Sequence, residues 1–321
     1  MAEQVTEHYA VEIQPPDISG YQQGNTGVDY VHVIDSGRAG PTVMLQALTH
    51  GNEFCGAHAL AYLFREKIRP AAGKLLIAFA NVEAYERFDF DDPDASRYID
   101  EDYNRVWGDD VLFGPRDSIE LRRARKLQPF VDQADYLLDI HSMHEPCRPI
   151  MVCGTVEKHV DFARKVGVPA DLLLDTGHPA GVRMRDRGSF SDPANPRAAV
   201  LIECGQHWEK SAVDVAIDTM LRFLAATGSI PKASIESKLR INPLPKQRVV
   251  RVTEPVVAKS MNFEFLVPIE GLSVVRQAGT PIARDGETVW TAPYDDTVLV
   301  MPSLRHLKPG NTQVRLGRYD N

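Results

Sequence analysis

Up to about residue 228, short continuous apolar runs alternate with stretches of helical periodicity, and this rhythm constrains the fold more than any other feature of the chain. The runs PTVMLQALT (41–49), KLLIAFAN (74–81), ADYLLDIHS (134–142) and RAAVLIECG (197–205) have no polar alternation, as expected of strands buried on both faces. Between them, EFCGAHALAYLFREKI (53–68), DSIELRRARKLQPFV (117–131) and SAVDVAIDTMLRFLAAT (211–227) space their apolar residues as helices do. Pro70 stops the first helix, Asp117 or Ser118 caps the second, and Gly228 closes the third. Buried strands alternating with helices predict an α/β domain whose sheet is covered on both sides.

The rhythm changes after GSIPKASIESKLRINPLPKQ. From about residue 246 short Val-rich runs follow one another, separated by Glu-Gly, Asp-Gly and Asp-Asp turns, which predicts a small β-rich unit. The expected organisation is a catalytic domain over residues 1–235 and a small β-rich domain over 236–321.

Composition narrows the function mainly by exclusion. The 321 residues carry a net charge of −8 with both signs interspersed, so no basic surface is expected for nucleic acid or an anionic membrane. No apolar window is long enough to span a bilayer, and the N-terminal residues lack the pattern of a signal peptide. Cys55, Cys147, Cys153 and Cys204 form neither a CxxC pair nor a dense framework, which fits a cytoplasmic protein with reduced thiols.

Sites in open α/β sheets form beyond the carboxyl ends of the strands. Four ionisable residues fall there: His50 and Glu53 after the first buried run, His141 at the end of YLLDIHS, and Glu203 at the end of AVLIECG. Hydrolytic Zn²⁺ sites take three ligands from His and Asp/Glu and leave one position for water, whose pKa falls from 15.7 toward about 7. His50, Glu53 and His141 make such a set, with Gly51 allowing a tight turn between the first two. Glu203 remains free to serve as the base. Asp139, two residues before His141, points to the same side of a strand and is placed to orient an imidazole. A His-x-x-Glu pair at a helix start also serves as a plain capping arrangement. His58, His144, His178 and His207 are read as packing or loop residues, and Cys55 and Cys204 as small buried hydrophobes.

With HGNE after a strand, RYIDEDYNRVWG further on, then DIHS and IECG, the chain resembles the succinylglutamate desuccinylase/aspartoacylase family over roughly residues 40–225. The resemblance implies an α/β fold of the zinc carboxypeptidase kind, a mixed sheet flanked by helices, with a smaller C-terminal β domain near the active-site entrance. It implies His50, Glu53 and His141 as ligands of one Zn²⁺ per subunit and Glu203 as the catalytic glutamate. It further implies that Arg97 polarises the scissile carbonyl, and that Asn104 and Arg105 grip a substrate carboxylate. The expected activity is zinc-dependent removal of a small acyl group from an N-acyl amino acid or related amine.

The chain also departs from the family. NVEAY stands where the family often has Asn-Pro, and no second carboxylate-clamping arginine aligns. Arg183, Arg185 and Arg187 are nearby options, but they read better as surface charges; Tyr294 reads as a turn residue. The late segment also resembles lipoyl and biotinyl carriers, but Tyr294, Asp295 and Asp296 occupy the turn where a carrier needs a lysine, so a lid or assembly role is expected instead. Three rivals stay open: a metallocarboxypeptidase acting on short peptides, a non-catalytic binding protein that keeps the fold, and a cysteine hydrolase using Cys55 or Cys204. The expected partner is a small, carboxylate-bearing substrate; a homo-oligomer is one option for the assembly.

Overall fold

A computed structural model describes residues 9–305 and 307–320. The expected α/β core is present. Its strands are β1 (Val31–Asp35), β2 (Thr42–Ala47), β3 (Lys74–Phe79), β4 (Tyr136–Met143), β5 (Ile150–Gly154), β6 (Asp171–Leu174) and β7 (Ala198–Gln206). The helices are α1 (Phe54–Arg65), α2 (Val82–Tyr85), α3 (Asp109–Leu112), α4 (Ile119–Val131), α5 (Glu157–Val166) and α6 (Lys210–Ala226). The four buried runs are β2, β3, β4 and β7. The edge strand β1 and the β5–α5–β6 unit fall in stretches that the sequence reading left unassigned.

The late segment contributes β8 (Arg248–Val257), β9 (Glu264–Phe265), β10 (Val274–Val275), β11 (Pro281–Asp285), β12 (Thr288–Thr291), β13 (Thr297–Val300) and β14 (Thr312–Tyr319). These strands do not all stand apart. The main sheet runs β1-β3-β2-β4-β7-β5-β6-β8-β14-β13-β10, so β8 continues it through parallel pairing with β6. Strands β12, β11 and β9 form a separate antiparallel sheet.

Alternating residues of the central strands build two cores. Val43, Leu45, Ala47, Leu138, Ile140, Val200 and Ile202 face α1, α5 and α6. Met44, Leu76, Leu137 and Ala199 face Leu121, Ala124 and Leu127 of α4. This two-faced burial is why the runs show no polar alternation. Gly56 lets α1 lie close on the sheet: a Cβ there would sit 2.8 Å from Ala47 Cβ and 3.1 Å from Ile140 Cβ. Ser118 caps α4 by accepting from Leu121 N at 3.0 Å.

For the site, the decisive feature is that β2, β4 and β7 are parallel neighbours. Their carboxyl ends therefore lie side by side, although more than fifty residues separate each from the next in the chain. On the β4–β7 ladder His141 stands directly opposite Glu203.

Candidate active site

After β2 the chain turns through Leu48, which has φ +58°, and through Thr49 to reach His50. Gly51 N donates to Arg97 O at 3.0 Å, joining this turn to the loop that carries the arginine motif. A side chain at Gly51 would collide with backbone, because a Cβ would lie 2.3 Å from Ser96 O and 2.5 Å from Tyr85 N. Glu53 is the residue at the N-cap of α1, but its side chain makes no capping hydrogen bond. The bland capping reading of His-x-x-Glu therefore does not hold.

The Glu53 carboxylate instead lies between two imidazoles. Its Oε1 is 2.7 Å from His50 Nδ1 and its Oε2 is 2.9 Å from His141 Nδ1. Ser142 N also donates to Oε2 at 3.2 Å. One ligand atom from each of His50, Glu53 and His141 falls within a mutual 4.8 Å, and all three residues are buried. Among the described residues this is the group able to hold a metal ion. Burial pushes the Glu53 carboxyl up, but the flanking His50 and His141 outweigh it and hold the group well below the usual carboxylate range. Burial disfavours the charged form of His141, yet Asp139 and Glu53 raise its pKa well above the ordinary value. The pocket thus favours positive charge where the three donors meet. Two imidazole nitrogens and one carboxylate suit Zn²⁺, so these residues fit the ion.

Carboxylates sit behind both imidazoles. His50 Nε2 is 3.0 Å from Asp102 Oδ1, and His141 Nε2 is 2.8 Å from Asp139 Oδ2, the latter without hydrogen-bond alignment. Asp139 is fixed in turn by Thr49, whose hydroxyl donates to Oδ1 at 2.8 Å. Such partners hold an imidazole with the opposite nitrogen free to ligate. The sequence reading gave no role to Asp102, although it lies inside RYIDEDYNR.

That motif is a loop shaped from below by Glu120, the buried first-turn residue of α4. The Glu120 carboxylate accepts from Ile99 N at 2.7 Å, Asp100 N at 3.1 Å and Glu101 N at 3.3 Å. Asp102 then accepts from Asn104 N at 2.8 Å. The result places Arg97, Asn104 and Arg105 around the metal-ready group. Arg97 Nη1 donates to Glu53 Oε1 at 3.2 Å. Asn104 accepts from Met184 N at 3.1 Å through its amide oxygen. Arg105 lies 3.8 Å from Asp102 Oδ2. Burial, assisted by Arg97, Arg183 and Arg315 and opposed by Asp102, lowers the Arg105 pKa to about 10.

Glu203 is 8 % exposed, and its Oε2 has no hydrogen-bond partner among the described residues. Burial pushes its carboxyl up to about 8; Glu53 adds to the shift, while His141 and Arg97 oppose it. A buried carboxyl tuned in this way can accept and return a proton near neutral pH.

All seven predicted residues, His50, Glu53, Arg97, Asn104, Arg105, His141 and Glu203, line one cavity of about 160 Å³. Gly271, Met301, Pro302, Ser303 and Arg315 of the late segment close one side of it. The cavity also takes in His144 and His178, which the sequence reading treated as packing or loop residues. His207, likewise given no partner, is buried: its Nδ1 contacts Ser142 Oγ at 2.8 Å and its Nε2 contacts His144 Nδ1 at 3.1 Å.

The surface-charge reading of three arginines is overturned. Arg183 forms a bidentate pair with Asp175 at 2.6 and 2.9 Å, Arg185 is fully buried against Asp186, and Arg187 pairs with Asp132 and Asp109. Each is withdrawn from solvent because a carboxylate meets it there. Tyr294 bonds Thr253 at 2.8 Å and does not line the cavity.

The sequence pattern of the succinylglutamate desuccinylase/aspartoacylase catalytic domain matches residues 39–227. No curated protein matches the chain in sequence. Among solved structures, succinylglutamate desuccinylase of Vibrio parahaemolyticus is 17% identical with a TM-score of 0.65, over 88% of this chain and 83% of its own. A succinylglutamate desuccinylase of Silicibacter sp. TM1040 is 20% identical at 0.63, over 90% and 88%. The ectoine utilization protein EutE (DoeB) of Ruegeria pomeroyi, in a product-bound structure, is 16% identical at 0.62, over 90% and 88%. At these identities the likeness is one of fold.

Proposed function

The chain belongs to the succinylglutamate desuccinylase/aspartoacylase family, and from that premise we propose that it is a zinc-dependent hydrolase that removes a small acyl group from an N-acyl amino acid or related amine. The observation that carries this reading is the meeting of His50, Glu53 and His141 within 4.8 Å beside Glu203, whose Oε2 has no hydrogen-bond partner among the described residues.

In this reading His50, Glu53 and His141 hold one Zn²⁺ per subunit. When bound, the ion supplies Lewis acidity to the amide carbonyl and makes water acidic enough to lose a proton near neutral pH. Asn104 and Arg105 take the substrate carboxylate, the guanidinium fork matching its two oxygens. Glu203 accepts the proton of the attacking water and then passes it to the leaving nitrogen. Arg97 donates to the carbonyl oxygen as it gains negative charge. Asp102 and Asp139 hold the imidazoles in register.

Two features favour a small substrate over a peptide. The cavity of about 160 Å³ falls below the roughly 300–1,000 Å³ of typical drug-sized ligand sites. The late segment also closes one side of it. Burial pushes the Cys204 thiol well above its ordinary range, which speaks against a cysteine nucleophile there. The four cysteines are free, which supports a cytoplasmic location, and among the described residues no helix is long and apolar enough to cross a membrane.

The test is a hydrolysis screen of N-acetyl, N-succinyl and N-formyl amino acids against dipeptides, with zinc restored after chelation. Acyl amino acids should be cleaved only by the zinc-loaded protein. Cleavage confined to dipeptides would establish the carboxypeptidase instead. Full activity in chelator with sensitivity to thiol reagents would establish the cysteine hydrolase.

A further inference from the structure

Two histidines beside the site have no part in the mechanism above. His144 follows β4 and lines the cavity; His207 follows β7 and is fully buried. Their rings meet edge to face with centroids 4.5 Å apart. Bonds between the two strand ends hold them there: His207 N donates to Met143 O at 2.9 Å, and Gln206 Nε2 donates to His144 O at 3.1 Å.

The ring nitrogens join three contacts into one line. Arg97 Nη1 is 3.3 Å from His144 Nε2, His144 Nδ1 is 3.1 Å from His207 Nε2, and His207 Nδ1 is 2.8 Å from Ser142 Oγ. A guanidinium only donates, so His144 Nε2 must accept. The proton of that ring then lies on Nδ1 and is donated to His207 Nε2. The His207 proton is left on Nδ1, where it is donated to Ser142 Oγ. The reverse direction would leave His144 with no proton on either nitrogen. Burial lowers the pKa of both rings, Arg97 adding to the shift and Asp94 opposing it, which fits neutral imidazoles. Asp94 Oδ1 lies 3.4 Å from His144 Nδ1 without hydrogen-bond alignment.

Such a line has a use at its Arg97 end. A carboxylate that fixes an arginine also offsets part of its charge. Glu53 and Asp102 both touch Arg97, and Glu53 is committed to the ion in the loaded site. A neutral imidazole fixes a guanidinium by accepting one hydrogen bond and leaves its charge for the carbonyl oxygen. The other end of the line is rigid: Ser142 belongs to β4, the strand that carries His141, and its N donates to Glu53 Oε2.

We propose that His144 and His207 form a one-directional hydrogen-bond chain, anchored on Ser142, that holds the Arg97 guanidinium in place. His144 is thus a positioning residue that acts through Arg97. Its effect on rate rests on the deacylase reading above; the direction of the chain does not.

Two-bond proton–nitrogen NMR on the labelled, zinc-loaded full chain at neutral pH reads which ring nitrogen carries the proton, with signals assigned through backbone connectivity. Both rings should be neutral and protonated on Nδ1. A proton on Nε2 of either ring overturns the chain, and this reading needs no variant to fold. Kinetics then tests the positioning. His144→Phe keeps a ring and loses the acceptor, so kcat on the best acyl amino acid should fall about 10- to 100-fold, the worth of a hydrogen bond to a charged group, with KM changed much less. His144→Gln returns an acceptor and should recover most of that loss. In an Arg97→Met background His144→Phe should change kcat by less than about twofold, because the partner through which it acts is gone. Equal factors in both backgrounds, or a loss carried by KM alone, overturn the positioning role. Should the wild type cleave no acyl amino acid, the deacylase reading fails by itself, and the Arg97 guanidinium signals decide for His144. Separate Nη signals that merge in His144→Phe support the positioning role; signals that the variant leaves unchanged refute it.

Discussion

Replacing Glu203 by glutamine separates chemistry from architecture more cleanly than any other single change in this site. The side chain keeps its volume, and its Oε2 has no partner among the described residues, so little packing is lost. Glutamine cannot take a proton from water. General-base catalysis contributes about 10²–10⁴-fold, so Glu203→Gln should raise the barrier by roughly 3–5.5 kcal/mol. The assay is kcat on the best substrate of the acyl amino acid screen, with zinc content measured on the same sample. One equivalent of zinc with a hundredfold or greater loss of rate is expected. A rate within tenfold of wild type at full zinc occupancy would show that another group moves the proton. The metal-free protein gives a second readout. There burial holds the Glu203 carboxyl at about 8, above its unfolded value, so keeping it folded costs progressively more as pH rises through that interval. Glu203→Gln should therefore raise Tm relative to wild type more at pH 8 than at pH 5. An equal or reversed gain would contradict the burial argument.

Three further changes test the supporting shell. Asp139→Asn leaves the ligands intact but removes the carboxylate behind His141; zinc affinity measured by competition with a chelating dye should fall about 10- to 100-fold. Arg105→Lys keeps the charge and loses the fork, so KM for carboxylate-bearing substrates should rise about tenfold with kcat changed much less; an unaltered KM would remove Arg105 from the binding site. Gly51→Ala forces a Cβ against Ser96 O and Tyr85 N, so thermal unfolding should show a Tm lower by several degrees together with weaker zinc binding. Wild-type Tm in that variant would mean the turn has more room than its contacts indicate.

The part of the fold that positions the metal-ready group was legible because β2, β4 and β7 are buried on both faces, and such strands announce themselves as unbroken apolar runs. Their polar ends then stand out, which is how His50, Glu53, His141 and Glu203 could be named before their distances were known. Strand order was not legible. Nothing local says that β7 lies beside β4 while β5 and β6 are placed beyond it, or that β8 pairs with β6 and carries the late segment into the same sheet. Strand β1 sits at an edge with only Val31 buried, so its apolar signal is weak. Arg183, Arg185 and Arg187 look solvated in sequence because basic and acidic residues alternate there; they are buried by carboxylates, several of them distant in the chain. The roles of Asp102 and Glu120 depend on how one loop folds over α4, and the presence of Arg315 in the cavity lining on a strand of the late segment reaching it.

The central claim is that His50, Glu53 and His141 share one divalent ion. X-ray absorption at the zinc edge, on protein loaded with one equivalent, reads the ligands directly. The account predicts a shell of nitrogen and oxygen at about 2.0–2.2 Å with no sulfur at about 2.3 Å, and loss of the imidazole signal when both His50 and His141 are replaced by alanine. A sulfur shell, or a spectrum unchanged by that double replacement, would place the ion elsewhere and contradict the account.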